Sequence, residues 1–309
     1  MKKEKQNIQI IQYKLYNNKN MKFDVIAMNP PYNPNSLWSK FVKKAINQLE
    51  DDGQMIAIHP DSWRTSSKNK KLCNHLKEHI SELHITDFES FPGVGTSTDW
   101  YCYNKQMQSN CIIHYPNGDI ENIKLSNIEN ILRFSHNSIP GKILSKICTV
   151  ENNGLVQQGR TGYHSLYKMH DPINGKYKQC GTSGRGTNWT KCDFSLTVEP
   201  NDNQFQNKVV MSYTRRPRAK YFSKEDEVGV VRADYWLTDN KSLPILLNSK
   251  MIWKLGIELT AQYGNNKSVW CFPYWFLQSL NFENLDVKSE EELYEHYNLT
   301  EEEINFCES

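Results

Sequence analysis

The sequence predicts an α/β fold in its first half and a mixed α+β domain in its second. Three observations carry this. The apolar run Phe23-Asp24-Val25-Ile26-Ala27-Met28 stops at a double proline and is followed by a helical stretch, Leu37 to Leu49. A buried strand feeding a helix reads this way. A second strand, Gln54 to His59, stops at Pro60 and is again followed by a helix, Lys70 to Ile80, and a strand, Leu83 to Phe88. From Gly154 onward the texture changes: glycine, asparagine, lysine, arginine and aromatic residues dominate, and short strand-like runs replace the βα alternation.

Length and composition bound the rest. A chain of 309 residues is long enough for two domains with real cores. We place them at 1–150 and 151–309, with Glu151-Asn152-Asn153-Gly154 as the boundary. No apolar run approaches membrane-spanning length, and Met1-Lys2-Lys3-Glu4-Lys5 lacks the hydrophobic segment of a signal peptide. A cytoplasmic protein with no membrane partner is expected. The eight cysteines form no C-x-x-C pair and read as free thiols. His164, His170, Cys180 and Cys192 fit no common ligand spacing, so no metal is expected. The net charge of +2 says little as a total. The asparagine- and lysine-rich composition suits an AT-rich phage or bacterial genome.

In order along the chain, Met1 to Met21 is basic and asparagine-rich, with a short strand over Ile8 to Tyr13. After the first strand and helix, Glu50-Asp51-Asp52-Gly53 reads as a turn into the second strand. Phe91 to Thr98 is a loop and Trp100 to Asn104 a strand. Cys111 to Tyr115 and Ile120 to Leu125 form a hairpin turning at Asn117-Gly118. Ile128 to Phe134 and Ile139 to Cys148 look helical, with a break at Pro140. In the second half, Lys208 to Tyr213 and Arg232 to Leu237 read as strands, Leu243 to Leu255 as a helix. Ser289 to Tyr297 and Asn298 to Ile304 read as two short capped helices.

The residues that carry chemistry are Asn29-Pro30-Pro31-Tyr32, directly after the first strand. The carboxyl end of a strand in an α/β unit is where open sheets place their ligand crevices. An exocyclic amine on a planar ring, such as adenine N6, is a poor nucleophile because its lone pair is delocalised. Two acceptors aimed at its two hydrogens favour the pyramidal, nucleophilic form. The Asn29 side-chain oxygen and the Pro30 carbonyl are such a pair, and the prolines stiffen the turn. Tyr32 supplies a flat face for the ring. Such a string also occurs as a proline-rich turn with an exposed tyrosine. A hydrophobic strand ending directly on the asparagine favours the functional reading.

This stretch resembles motif IV of the amino-methyltransferases, in the form typical of DNA adenine-N6 methyltransferases. The resemblance implies S-adenosyl-L-methionine as cofactor and makes Asn29, Pro30, Pro31 and Tyr32 the catalytic set. Protein-glutamine and RNA-guanine methyltransferases share these four residues, so the rest of the chain must decide the substrate. The resemblance extends to the acidic turn at residues 50–53 and the strand ending at Pro60. On it, the sheet is the catalytic half of a Rossmann-like methyltransferase. Phe91-Pro92-Gly93-Val94-Gly95 matches the family's cofactor fingerprint as a string, but a strand rather than a helix follows it. We read it as the later loop whose aromatic residue, Phe91, packs on the target base opposite Tyr32.

The second half resembles the target-recognition domains of restriction-modification methyltransferases, in which a basic β segment precedes a helix carrying Leu-Asn-Ser, here Leu247-Asn248-Ser249. The end of the chain looks like the acidic tail of Eco57I-type enzymes. Arg160, Arg185, Lys208, Arg215, Arg216, Arg218 and Lys220 are the candidate DNA contacts, set among aromatics such as Tyr163, Tyr167 and Trp189. A run such as Thr214 to Lys220 is often only a solvated loop; its aromatic surroundings raise the odds of phosphate contact. Only 28 residues precede Asn29, too few for the family's cofactor-binding half; the cofactor-binding residues are therefore unknown. Three readings stay open. The chain is one piece of a split methyltransferase whose partner chain binds the cofactor. It is a truncated remnant or a non-catalytic DNA-binding subunit. Or it is a free-standing enzyme of another substrate class.

Overall fold

The computed structural model describes residues 21–31, 37–64, 69–86, 98–149, 151–157, 177–181, 195–196, 206–212, 218–226, 228–231, 233–260 and 272–309. The chain divides into two compact units, Met1–Ser135 and His136–Ser309. The division falls ahead of the helix Ile139–Ile147, whereas the sequence boundary at 150 leaves that helix in the first half. Among the described residues no helix is long and apolar enough to cross a membrane.

In the first unit, strand β1 (Phe23–Met28) leads to helix α1 (Leu37–Gln48) and strand β2 (Leu49–Pro60), then a 3-10 turn over Asp61–Arg64. Helix α2 (Lys70–His79) runs directly into β3 (Ile80–Ile85); β4 (Thr98–Asn104) and the hairpin β5 (Cys111–His114) and β6 (Ile120–Ile123) follow. The six strands form one sheet in the order β1-β2-β4-β3-β5-β6. β1 pairs parallel with β2, β4 is antiparallel to both β2 and β3, and β5 is parallel to β3. So β1, β2, β3 and β5 point one way, and β4 and β6 the other. This is the α/β fold expected.

Helix α1 buries Trp38, Val42, Ala45 and Ile46, a single stripe at helical spacing. Helix α2 buries Leu72, Cys73 and Leu76. Both stripes join one core with Ile26, Met55, Ala57, Leu83, Tyr101, Tyr103 and Ile113. Those residues alternate along their strands, so they mark one face of the sheet. The other face keeps Val25, Ile56, Ile112 and Ile120 exposed.

The acidic turn at 50–53 lies inside β2 instead of ahead of it. Phe23 pairs with Leu49 while Val25 pairs with Gln54, so the ladder is interrupted by a bulge. Gly53 sits in that bulge. A Cβ there would stand 3.0 Å from Glu50 N and O and from Phe23 O, all backbone atoms that cannot swing aside. The expected helix over 128–134 does not form; the only helical turn nearby is Leu125–Asn127. The reason lies in its carbonyls. Lys77 Nζ donates to Ile128 O (2.8 Å) and Glu129 O (2.6 Å), and Arg64 Nη1 donates to Ile131 O (3.1 Å). Buried cations take the acceptors that a helix would need.

In the second unit, helix α3 (Ile139–Ile147) opens on Ser138, whose Oγ accepts from Gly141 N (3.3 Å). Pro140 lies in the first turn, where its missing N–H costs nothing, so it starts the helix and does not break it. The strands are β7 (Val156–Gln157), β8 (Tyr177–Gly181), β9 (Ser195–Leu196), β10 (Lys208–Ser212), β11 (Ala219–Phe222), β12 (Val228–Val231) and β13 (Ala233–Leu237). They make a sheet β11-β10-β13-β7 and a smaller one, β12-β8-β9. The expected helix over 243–255 is two: α4 (Leu243–Asn248) and α5 (Lys250–Thr260). Ser249 is extended between them, and its Oγ accepts from Ile252 N (3.2 Å), capping the second.

Helices α6 (Tyr274–Ser279), α7 (Glu290–His296) and α8 (Glu301–Glu308) complete the unit. The two last carry the expected caps, Ser289 and a capping box between Thr300 and Glu303. Glu303 also pairs with Lys146 of α3 at 2.6 Å, which fixes the C-terminal helix to this unit.

Candidate active-site turn and basic segment

Asn29, Pro30 and Pro31 follow β1 at its carboxyl end. Asn29 and Pro31 are exposed and Pro30 is buried. The buried proline anchors the turn while the Asn29 side chain faces solvent, available to a ligand. Met28 pairs with Ala57, so the turn stands beside the last residues of β2. β3 ends at the same sheet edge, where β4 begins: Thr98 pairs with Pro60, and Thr86 Oγ1 donates to Thr98 O (2.6 Å). Tyr32 and Phe91 lie outside the described residues.

Beneath this edge is a buried polar and aromatic cluster that sequence reasoning missed. His59 stacks on Trp38 with centroids 4.3 Å apart and planes at 13°. Trp38 is the second residue of α1, the helix into which the chain runs after the turn. The stack therefore ties the end of β2 to the start of α1. His59 Nδ1 lies 3.0 Å from Pro60 O and Nε2 lies 2.9 Å from Tyr101 Oη. A neutral ring satisfies both, donating from Nδ1 and accepting at Nε2. Burial pushes its pKa down to about 4, against a smaller opposing effect of the Pro60 carbonyl.

Alongside it, Arg64 meets Asp61 Oδ2 at 2.8 Å and Asp99 Oδ2 at 2.9 Å, and Trp63 Nε1 donates to Asp99 Oδ2 (3.1 Å). Burial by itself lowers the Arg64 pKa; the Asp99 and Asp61 carboxylates outweigh it and hold the guanidinium above its ordinary value. Burial raises the Asp99 carboxyl, against the pull of Arg64. Burial is the larger effect, and the neighbouring Asp61 carboxylate adds to it, against the pull of Arg64 and Arg133. The legible signal was Asp61-Ser62-Trp63-Arg64, an acid and a base three residues apart just after the proline that ends β2.

Of the candidate DNA contacts, Arg160, Arg185, Arg215 and Arg216 lie outside the described residues. Arg218 and Lys220 are exposed at the start of β11. Lys220 Nζ stands 5.3 Å from the Phe222 ring centroid. Lys208 does not belong with them. It is fully buried on β10, the strand between β11 and β13, and no phosphate can reach it. A lysine at the start of a strand that leads into a basic run looks exposed in sequence; here its side chain is buried.

Asn248, from the Leu-Asn-Ser string, has a structural role. Its Oδ1 accepts from Ala219 N (2.7 Å) and its Nδ2 donates to Ala219 O (3.0 Å). The side-chain amide acts as one more rung on β11 and holds the residue between Arg218 and Lys220.

Residues 1–86 match the family model of the methyltransferase small domain. No curated protein matches the chain. Among solved structures, the chain is similar to the Type IIL restriction-modification enzyme MmeI in complex with DNA, at 12% identity over 92% of this chain and 53% of that one, with a TM-score of 0.40. It is similar to the type IIG restriction endonuclease BpuSI at 11% identity over 85% and 44%, with a TM-score of 0.33. It is similar to the M protein of the Type I restriction enzyme EcoKI at 10% identity over 79% and 49%, with a TM-score of 0.27. The chain spans about half the length of each. The likeness to a methyltransferase thus rests on residues 1–86, which carry β1, the Asn29-Pro30-Pro31 turn and the strands β2 and β3 beside it.

Proposed function

We propose that the chain is the base-handling and target-recognition portion of an adenine-specific DNA N6-methyltransferase of the restriction-modification type. The observation that carries this is an exposed Asn29 followed by a buried Pro30 at the carboxyl end of β1, inside the segment that matches the methyltransferase small domain. The target adenine leaves the stack, at a cost of a few kcal/mol. Tyr32 and Phe91 hold it from its two faces. Asn29 Oδ1 and the Pro30 carbonyl accept from the two N6 hydrogens and turn the lone pair out of conjugation. Arg160, Arg185, Arg215, Arg216, Arg218 and Lys220 contact the DNA.

S-adenosyl-L-methionine is the methyl donor this reading calls for. The described residues do not fit it: none forms a strand, a glycine turn and a helix in succession. No step is therefore assigned to it on this chain. The cofactor-binding half comes from a separate chain or from more of the same polypeptide. The shape of the sheet favours such a completion. Among the described residues β1 is an edge strand, and Val25 on it is 63% exposed. Strands of parallel sheets are ordinarily covered on both faces.

The test is N6-methyladenine in DNA from cells that carry the chain in its native genetic setting, measured by nucleoside mass spectrometry. Asn29→Ala should remove the modification and leave DNA binding in place. N6-methyladenine that persists in the variant overturns the mechanism. The unfitted cofactor also favours a second reading, a non-catalytic DNA-binding subunit. Calorimetry with S-adenosyl-L-methionine separates the two: no binding, alone or with its neighbouring gene products, favours the subunit.

A further inference from the structure

On the exposed face of the first sheet, away from the turn, lies a cluster that the proposed reaction does not use. Glu82 and His84 are two apart on β3, so they project from the same face. His114 on β5 is the register partner of His84. Glu82 Oε1 stands 2.8 Å from His84 Nε2 and 3.1 Å from His114 Nε2. The three groups each offer a donor atom within 4.8 Å of the others. The two imidazoles lie parallel, centroids 4.0 Å apart, and Trp100 stacks on the far side of His84 at 3.6 Å.

The bonding inside the cluster is incomplete. His84 shares a hydrogen bond with Glu82. His114 Nε2 is a buried atom 3.1 Å from Glu82 Oε1 whose hydrogen bonding is not satisfied there. Burial also lowers the His84 pKa, and the His84 hydrogen bond lowers that of Glu82.

We propose that Glu82, His84 and His114 bind one divalent transition-metal ion of the zinc type. Two imidazole nitrogens and one carboxylate oxygen are a borderline ligand set that suits zinc better than magnesium or calcium. Ligands about 2.0–2.1 Å from a tetrahedral ion stand roughly 3.3 Å apart. The present separations of 2.8 and 3.1 Å are close to that. Binding asks the two rings to splay out of their stack so that both lone pairs meet. The side chains of Glu82, His84 and His114 are 39%, 23% and 31% exposed, which leaves the fourth position to water. The ion ties β3 to β5. A second grouping lies on α2, His75, Glu78 and His79, where one ring nitrogen of each histidine is bonded to Tyr103 Oη at 2.9 Å and Asn104 O at 3.0 Å. It serves as the control.

The full chain, stripped with chelator, is titrated with zinc chloride by calorimetry, and with cobalt(II) by visible absorption. One equivalent should bind. His114→Ala and Glu82→Gln should each weaken it by about tenfold or more, and His75→Ala should leave it unchanged. Glu82→Gln keeps the side-chain volume, so it decides the matter if His114→Ala does not fold. Zinc should raise the Tm of the parent chain and not that of Glu82→Gln. No binding to the parent chain, binding of undiminished affinity in Glu82→Gln, or binding lost in His75→Ala overturns the assignment.

Discussion

Acid should loosen the first unit through His59. The ring is fully buried, its pKa is held down to about 4 by burial, and its ordinary value is 6.5. In the unfolded chain the imidazole takes a proton near its ordinary value; in the folded chain it resists until about 4. Between those limits the unfolded state binds more protons, so stability falls as pH falls. The contribution is fully present above the ordinary value and is lost on the way down to the folded one. A gap of that width, at about 1.4 kcal/mol for each pKa unit, makes this about 3 kcal/mol.

The raised carboxyl of Asp99 works in the opposite sense: its contribution is present in acid and fades as pH rises through its folded value. The parent chain alone therefore does not isolate His59. His59→Gln does. Glutamine keeps a donor for Pro60 O and an acceptor for Tyr101 Oη, loses the stack on Trp38, and does not titrate. Urea unfolding of both chains at about pH 7 and about pH 4.5 gives the difference. The parent should lose about 2.4 kcal/mol more than the variant over that interval, the remainder being lost only below about pH 4. Equal losses would mean that His59 takes up its proton alike in the folded and the unfolded chain, and the assignment of a buried ring that resists protonation would fall.

Arg64→Met should cost about 3–5 kcal/mol, because it leaves Asp61 and Asp99 buried without the Arg64 cation; denaturant unfolding near neutral pH measures it, with a smaller loss expected in acid as Asp99 protonates. The double variant Arg218→Ala, Lys220→Ala should leave stability within about 0.5 kcal/mol, since both side chains are exposed. It should weaken DNA binding and reduce the slope of log affinity against log salt by about one for each phosphate contact removed. An unchanged slope would make this segment an ordinary solvated edge.

Much of the fold was legible because local signals agreed with the final packing. A proline pair must end β1, Pro60 must end β2, and the stripes of α1 and α2 face one core. Asn117-Gly118 turns the hairpin, with Gly118 at a φ of 89°. Ser289 and Thr300 cap the last two helices. The Asn29-Pro30-Pro31 turn was found on the same grounds, since chemistry and strand end coincide in four consecutive residues. What failed in sequence failed for long-range reasons. The stretch 128–134 has apolar residues at helical spacing, yet Lys77 and Arg64, far away in the chain, hold its carbonyls. Lys208 looked like a phosphate ligand because a basic run follows its strand, and its burial on β10 leaves no local mark in the sequence.

The sequence by itself thus determined the strand that ends on Asn29 and the helix that follows the turn. Those features are written in one continuous stretch, Phe23 to Gln48. Tertiary structure alone decided that β4 inserts antiparallel between β2 and β3, because a strand's neighbours are set by pairings that leave no local mark. The same holds for the cluster of His59, Arg64 and Asp99 under the turn, and for His114 beside Glu82 and His84. Each brings together residues 30 or more positions apart, and only the register of the sheet makes them neighbours.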